Sequence, residues 1–224
     1  MLRSVAVAEP AALNKNYKPW THEVYGETMP NLVQIAIDIL KITPDDVFVD
    51  LGSGIGQVVL QVAASTQCRA FGIELMDVPA QYANAYGPAF ATELQRRGCG
   101  LRHETTLIHG DFMKFAQLSS ATVIFINNFA FPCALSQQLG AHIAATCSAG
   151  TRVLSYKPIV PMRKRQTKAP QRFGFELQAG SAVPLWVGAQ EEEHGLVKIG
   201  CQASPGDGVS WMSGTVDCIS YVLR

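Results

Sequence analysis

The short run Val47-Phe48-Val49-Asp50-Leu51 ends on Gly52-Ser53-Gly54-Ile55-Gly56 and passes directly into Gln57-Val58-Val59-Leu60-Gln61-Val62-Ala63-Ala64. The first part is apolar and β-branched with no polar alternation, which predicts a strand covered on both faces. Glycines let the chain reverse tightly and let a ligand approach its backbone. The third part predicts a helix. A buried parallel strand needs parallel neighbours, so this one segment already commits the chain to an α/β sheet with crossover helices.

The flanking sequence supplies those neighbours. Residues 1–24, with Pro10, Pro19 and Trp20, read as an irregular lead-in. Pro30 suits the first turn of a helix whose apolar face is Leu32, Ile35, Ala36, Ile39 and Leu40. Pro44-Asp45-Asp46 reads as a turn. Further strands are expected at Ala70–Ile73, Leu107–His109, Thr122–Ile126 and Arg152–Ser155, with helices over about 78–97 and 135–146. After Pro161 the pattern changes. Phe173–Leu177, Leu185–Val187, Leu196–Ile199 and Asp217–Leu223 read as strands with short connections, an antiparallel edge on a mostly parallel, doubly wound sheet. No internal repeat interrupts the pattern, so residues 25–224 are expected to form a single domain.

Composition narrows the class. An apolar fraction of 48% with 16% charged residues describes a globular chain, and the formal net charge of +0 gives no overall basic signature. No apolar run is long enough to cross a membrane. Glu9 and Pro10 break the short apolar start, so no signal peptide is expected. The cysteines at 68, 99, 133, 147, 201 and 218 show no C-x-x-C spacing. Neither a zinc site nor a disulfide framework is expected, and most of the thiols are expected to be small core residues.

The glycine turn stands where doubly wound sheets bind ligands, at a strand's carboxyl end. Its spacing is G-x-G-x-G rather than the G-x-G-x-x-G of a dinucleotide fingerprint. Asp50 sharpens the distinction: a carboxylate there attracts a cationic amine and repels a pyrophosphate. S-adenosylmethionine carries such an ammonium. Free amides at the helix start can hold its carboxylate. Glu74 closes the second strand and can accept from both ribose hydroxyls. Asp111, after the third strand, is placed to accept from the adenine amino group, with Phe112 against the ring. One acidic residue at a strand end is unremarkable as an ordinary loop residue; three in order are not.

Tyr25-Gly26-Glu27-Thr28, the glycine turn with its flanks, Gly110-Asp111-Phe112 and Asn127-Asn128-Phe129-Ala130-Phe131 together resemble the Dot1-type histone lysine methyltransferases, the non-SET enzymes named for disruption of telomeric silencing. The likeness runs from about residue 24 to 161, with a short echo at Val209-Ser210-Trp211. It implies a class I, seven-stranded methyltransferase fold and transfer of a methyl group from S-adenosylmethionine to a lysine in the globular core of histone H3 in nucleosomes. It implies a cofactor site made of Tyr25, Gly26, Glu27, Thr28, Asp50, Leu51, Gly52, Ser53, Gly54, Gly56, Gln57, Glu74, Asp111, Phe112 and Asn127. It places Thr28, Asn127, Phe129, Phe131 and Trp211 at the reacting end, around a lysine channel. It also implies a nuclear protein, with a monomer as the default. Two features depart from the family pattern. The family commonly has a longer lobe before Tyr25, and a tyrosine pair where Cys218 and Ile219 stand here, with Tyr221 displaced.

A lysine ammonium must lose a proton before it can attack; with a reference pKa near 10.4, only roughly one in a thousand is neutral near pH 7. Aromatic walls at Phe129, Phe131 and Trp211 would desolvate the ammonium and lower that pKa. Asn127 is no base, and its carbonyl is expected to orient the cofactor or the amine. Arg163, Lys164, Arg165, Lys168 and Arg172 read either as a solvated loop or as a contact to nucleosomal DNA, to an acidic histone surface or to the import machinery. Two other readings stay open: a methyltransferase of the same fold acting on another substrate, and a catalytically silent cofactor-binding module.

Overall fold

In the computed structural model, residues 28–160, 192–193, 196–202 and 217–223 are described. The expectations that fall on residues 1–27, Trp211, the basic cluster 163–172 and the strands at 173–177 and 185–187 lie outside them.

Chain order runs α1 (Pro30–Leu40), β1 (Val47–Leu51), α2 (Gln57–Thr66), β2 (Arg69–Glu74), α3 (Asp77–Arg96), β3 (Thr106–His109), two 3₁₀ turns (Phe112–Lys114 and Ala116–Ser120), β4 (Val123–Ile126), α4 (Cys133–Thr146), β5 (Arg152–Ser155), β6 (Glu192–Glu193), β7 (Leu196–Gln202) and β8 (Asp217–Leu223). The strands form one sheet in the order β3-β2-β1-β4-β5-β8-β7-β6. The first five are parallel, and β8 pairs antiparallel with both β5 and β7. This is the doubly wound class I methyltransferase arrangement with its antiparallel edge. The described sheet has eight strands rather than seven, because the two-residue β6 adds to the rim beside β7.

Strand periodicity explains the two cores. Phe48, Val123, Phe125 and Leu154 face one layer, where they meet Leu32, Val33, Ala36, Ile37 and Leu40 of α1 and Val58, Val59, Val62 and Ala63 of α2. Val49, Leu51, Ile124, Ile126 and Val153 face the other, packed with Leu139 and Ile143 of α4 and with Tyr221 and Leu223 of β8. Both faces are covered, so the strands carry apolar residues at successive positions. Pro30 opens α1 as expected, but its buried face is Leu32, Val33, Ala36, Ile37 and Leu40; Ile35 and Ile39 are only partly buried at its margin. The stripe is turned by about one residue because the i, i+4 pairs 32/36/40 and 33/37 together point at the sheet. The thiols also differ from expectation: Cys68 and Cys218 are buried and Cys147 is half-buried, but Cys99 and Cys133 are exposed.

In strand order the chain reverses direction of travel at β1, which lies between β2 and β4. That switch point opens a crevice at the carboxyl ends of β1 and β4, the position at which such sheets bind ligands.

Candidate active site

The glycine turn is held by its own amides. Gly52 N and Ser53 N both donate to Ile73 O, at 2.9 and 3.0 Å, Gly56 N donates to Ser53 O at 2.9 Å, and Gly54 N donates to Glu74 Oε2 at 2.8 Å. Gly52, Gly54 and Gly56 all have positive φ (88°, 56° and 84°), conformations that a side chain would strain. Ser53 lies against Gly72, where a Cβ would come within 2.7 Å of the serine Oγ. An anion would therefore meet the backbone at the start of α2, where no side chain caps the Gly56 end. Leu51 contributes no polar group; its side chain is fully buried in the α4 layer.

Two carboxylates stand behind this turn. Asp50 is 2% exposed, and its Oδ1 is a buried oxygen with no hydrogen-bond partner among the described residues. Burial, and then the charge of Glu74, hold its carboxyl well above the usual range. Glu74 is buried as well. Its Oε2 receives Gly54 N, and its Oε1 receives Met76 N at 2.7 Å, so it ties the glycine turn to the start of α3. Burial raises its carboxyl too, although those amides partly offset the effect. Each carboxylate oxygen can accept a second hydrogen bond, so Glu74 keeps capacity for ribose hydroxyls. The donor that Asp50 lacks is the one an ammonium would supply, and this orphaned oxygen fits the cofactor expected from the sequence.

Asp111 caps the 3₁₀ turn after β3, with Oδ1 accepting from Met113 N at 2.9 Å. Phe112 is buried and stacks on Phe131, with centroids 5.9 Å apart and planes 22° apart. The Phe131 ring also covers Gly52, 3.4 Å from where a Cβ would stand. The structure thus brings Phe131 together with Phe112 and the glycine turn, and not with Phe129. Phe129 packs against the α1/α2 layer, and the Lys157 ammonium lies 5.2 Å from its ring centroid.

Thr28 is 3% exposed and linked to three elements. Its carbonyl accepts from Gln57 Nε2 at 3.0 Å. Its hydroxyl accepts from Asn127 Nδ2 at 3.4 Å and lies 3.3 Å from the Tyr156 hydroxyl. The second asparagine of the doublet has a different task. Fully buried Asn128 accepts from Tyr156 N and Lys157 N at 3.0 and 2.8 Å and donates to Lys157 O and Ser136 Oγ at 2.9 and 3.2 Å, which locks the end of β4 to that of β5. Asn128, Ser136, Tyr156 and Lys157 escaped the sequence reading. Only the doublet itself hinted that one asparagine serves the scaffold.

The family model described as "Histone methylation protein DOT1" matches residues 3–176. The chain belongs to the Dot1 family. Its Dot1 relatives include the "Histone-lysine N-methyltransferase, H3 lysine-79 specific" of Caenorhabditis elegans, 43% identical over 170 residues, 72% of this chain and 18% of that protein. The protein of the same description in Drosophila melanogaster is 38% identical over 174 residues, 75% of this chain and 9% of that one. The one in Emericella nidulans is 33% identical over 152 residues, 66% of this chain and 30% of that one. The chain therefore spans less than a third of the length of these Dot1 proteins. Among solved structures, an RNA methyltransferase from Salinibacter ruber in complex with S-adenosyl-L-homocysteine covers 68% of this chain and 88% of its own, at 24% identity and a TM-score of 0.48. The Dot1 match takes in Tyr25–Thr28, the glycine turn, Glu74, Asp111, Asn127–Phe131 and the basic cluster; Trp211 lies beyond it.

Proposed function

We propose that this chain transfers a methyl group from S-adenosylmethionine to a lysine on the globular core of histone H3 in the nucleosome. The observation that carries the cofactor half is the buried, unpartnered Asp50 Oδ1 at the carboxyl end of β1, beside Glu74. The substrate half rests on membership of the Dot1 family and on the activity for which those relatives are named.

The cofactor supplies an electrophilic sulfonium methyl. Asp50 would take the ammonium of its methionine part and Glu74 the ribose hydroxyls. Asp111 and Phe112 would hold the adenine, with Phe131 as a second wall on the Phe112 side. Tyr25, Gly26 and Glu27 would close over the methionine end, with the backbone of Leu51 and Gly52, Ser53, Gly54, Gly56 and Gln57 forming the floor. The reacting end is assigned to Thr28, Asn127 and Phe129, with Trp211 as a further channel wall. Alignment of amine and methyl is the main task, since effective molarity rather than acid–base chemistry dominates such a displacement. An apolar channel favours the neutral amine. Nuclear localisation and a monomeric state belong to the same proposal, as does contact of Arg163, Lys164, Arg165, Lys168 and Arg172 with nucleosomal DNA. Neutralising these five should weaken nucleosome binding and flatten its salt dependence.

The decisive experiment offers labelled S-adenosylmethionine with intact nucleosomes, tailless nucleosomes and free histones. Label on H3 in both nucleosomes, with little on free histones, supports the proposal. Cofactor binding without label on any of them moves the assignment to another substrate or to a silent module.

A further inference from the structure

β5 has a cation at its start and another just past its end, and the two are placed differently. Arg152, at the start, is engaged by Asp46 and by the carbonyl of Lys41. Lys157 lies two residues beyond the carboxyl end, half-buried, and no carboxylate pairs with it among the described residues. Its backbone is held more firmly than a solvated lysine needs. The amide donates to Asn128 Oδ1 at 2.8 Å, and the carbonyl accepts from Asn128 Nδ2 at 2.9 Å and from Ser155 Oγ at 2.8 Å. Asn128 is fully buried, and Pro158 restricts the Lys157 backbone from the other side. The ammonium rests 5.2 Å from the Phe129 ring centroid, where the ring quadrupole attracts it.

Phe129 belongs to the reacting end in the reading above. A fixed positive charge therefore stands one ring away from the path of the substrate lysine. The elements packed around Phe129 set no carboxylate against that charge. α2 and β4 carry no ionisable side chain, and the one acid of α1, Asp38, is exposed and hydrogen-bonded by Gln34 Nε2 at 3.1 Å. Beside Lys157 in the chain, the Tyr156 phenol lies 3.3 Å from the Thr28 hydroxyl. The crevice carboxyls Asp50 and Glu74 are buried behind the glycine turn. A like charge disfavours the charged form of its neighbour, and only a neutral amine has the lone pair that attacks.

We propose that Lys157 sets the protonation state of the substrate: its ammonium, held on Phe129 by the clamped β5 exit, disfavours a second positive charge at the reacting end, so the incoming lysine reacts as the neutral amine. The assignment rests on the activity reading above. The substrate's proton leaves to water. The nitrogen lone pair then forms the N–C bond as the S–C bond breaks, the positive charge passes from sulfur to nitrogen, and S-adenosylhomocysteine departs. The repulsion acts on the bound ground state, so it is read in kcat at saturating nucleosome rather than in kcat/KM.

The test compares the parent, Lys157→Met and Lys157→Arg in nucleosome methylation between about pH 6.5 and 9. Methionine keeps an apolar stem against Phe129 without the charge; arginine keeps the charge. Lys157→Met should lose about tenfold in kcat near pH 7, and the loss should shrink toward pH 9, because one pH unit in the substrate limb is a factor of ten in neutral amine. Its KM should not rise, and Lys157→Arg should return the limb to the parent's position. A loss that is the same at every pH, a raised KM or an arginine variant that behaves like the methionine one overturns the assignment, since those mark alignment, docking or packing; so does a methionine variant within about twofold of the parent throughout. Should the parent label no chromatin substrate, the activity reading fails separately. The charge effect is then read from n-propylammonium and n-propanol titrated by NMR into the chain loaded with S-adenosylhomocysteine. Lys157→Met should tighten the ammonium by about tenfold and change the alcohol by less than about twofold; any other pattern overturns the assignment.

Discussion

Arg152 donates through Nη2 to Asp46 Oδ1 at the amino-terminal rim of the sheet, and the same guanidinium reaches the carbonyl of Lys41 at 2.9 Å. Asp46 is further held by the Thr122 hydroxyl at 2.7 Å and by the amide and hydroxyl of Thr43 at 2.8 and 3.0 Å. A single strand thus separates a fully partnered carboxylate at one end from Asp50, with its unpartnered oxygen, at the other. The first serves stability, and the second is the oxygen to which the proposed function assigns the cofactor's ammonium.

Burial alone would raise the Asp46 carboxyl, but the Thr122 and Thr43 hydrogen bonds and the Arg152 charge outweigh it and hold it below the ordinary value. A depressed carboxyl contributes stability above its unfolded pKa and loses it as pH falls through the folded one. Asp46→Asn should cost about 2–4 kcal/mol near pH 7, and the deficit relative to the parent should shrink on acidification below the ordinary carboxylate pKa of about 3.9. Urea unfolding of both proteins across that range checks this. A deficit that does not change with pH would point to shape rather than charge.

Asp50 has the opposite sign. Its carboxyl is raised, so the folded state binds more protons than the unfolded one, and stability is lost as pH rises from the unfolded pKa through the folded one. Without cofactor, Asp50→Asn should melt at or above the parent temperature at neutral pH. Added S-adenosylmethionine should raise the melting temperature of the variant less than that of the parent, with affinity lowered at least about tenfold. A variant that melts lower without cofactor would show that Asp50 serves the fold.

Phe131 and Phe129 should separate kinetically. Phe131 stacks on Phe112 over Gly52, so Phe131→Ala should raise the cofactor Kd by about tenfold. Phe129 packs on the α1/α2 side beside Lys157, so Phe129→Ala should leave cofactor Kd within about threefold and lower turnover instead. Calorimetry with S-adenosylhomocysteine alongside turnover assays resolves the two; equal effects on Kd would reject the division.

Gly140 lies inside α4, where alanine is normally favoured by about 1 kcal/mol. Here a Cβ would stand 1.9 Å from the carbonyl oxygen of Ile159 and 2.9 Å from its carbon. Backbone cannot swing aside as a flexible side chain can, so Gly140→Ala should destabilise by about 3 kcal/mol despite its helix propensity. Chemical denaturation checks it, and a neutral or stabilising result would mean that α4 can shift away from the β5 exit.

Local physics determined much of this protein from the sequence alone. Apolar runs, the glycine turn and the helix signals fixed the alternation of strands and helices, because neighbours in the chain decide them. The positions of Asp50, Glu74 and Asp111 at successive strand ends were legible for the same reason, and the combined motifs pointed to the Dot1 family. Only the tertiary structure decided which side chains meet. It turned the buried stripe of α1 by one residue, because a helix face is chosen by the sheet it covers. It divided the asparagine doublet between crevice and scaffold, since successive residues beyond a strand point to opposite sides. It sent Phe131 to Phe112 and left Phe129 with Lys157. It also brought Tyr156 to Thr28 across 128 positions, a contact with no local signature, because the hydrogen bond exists only once β5 and the entry to α1 have packed against the same face.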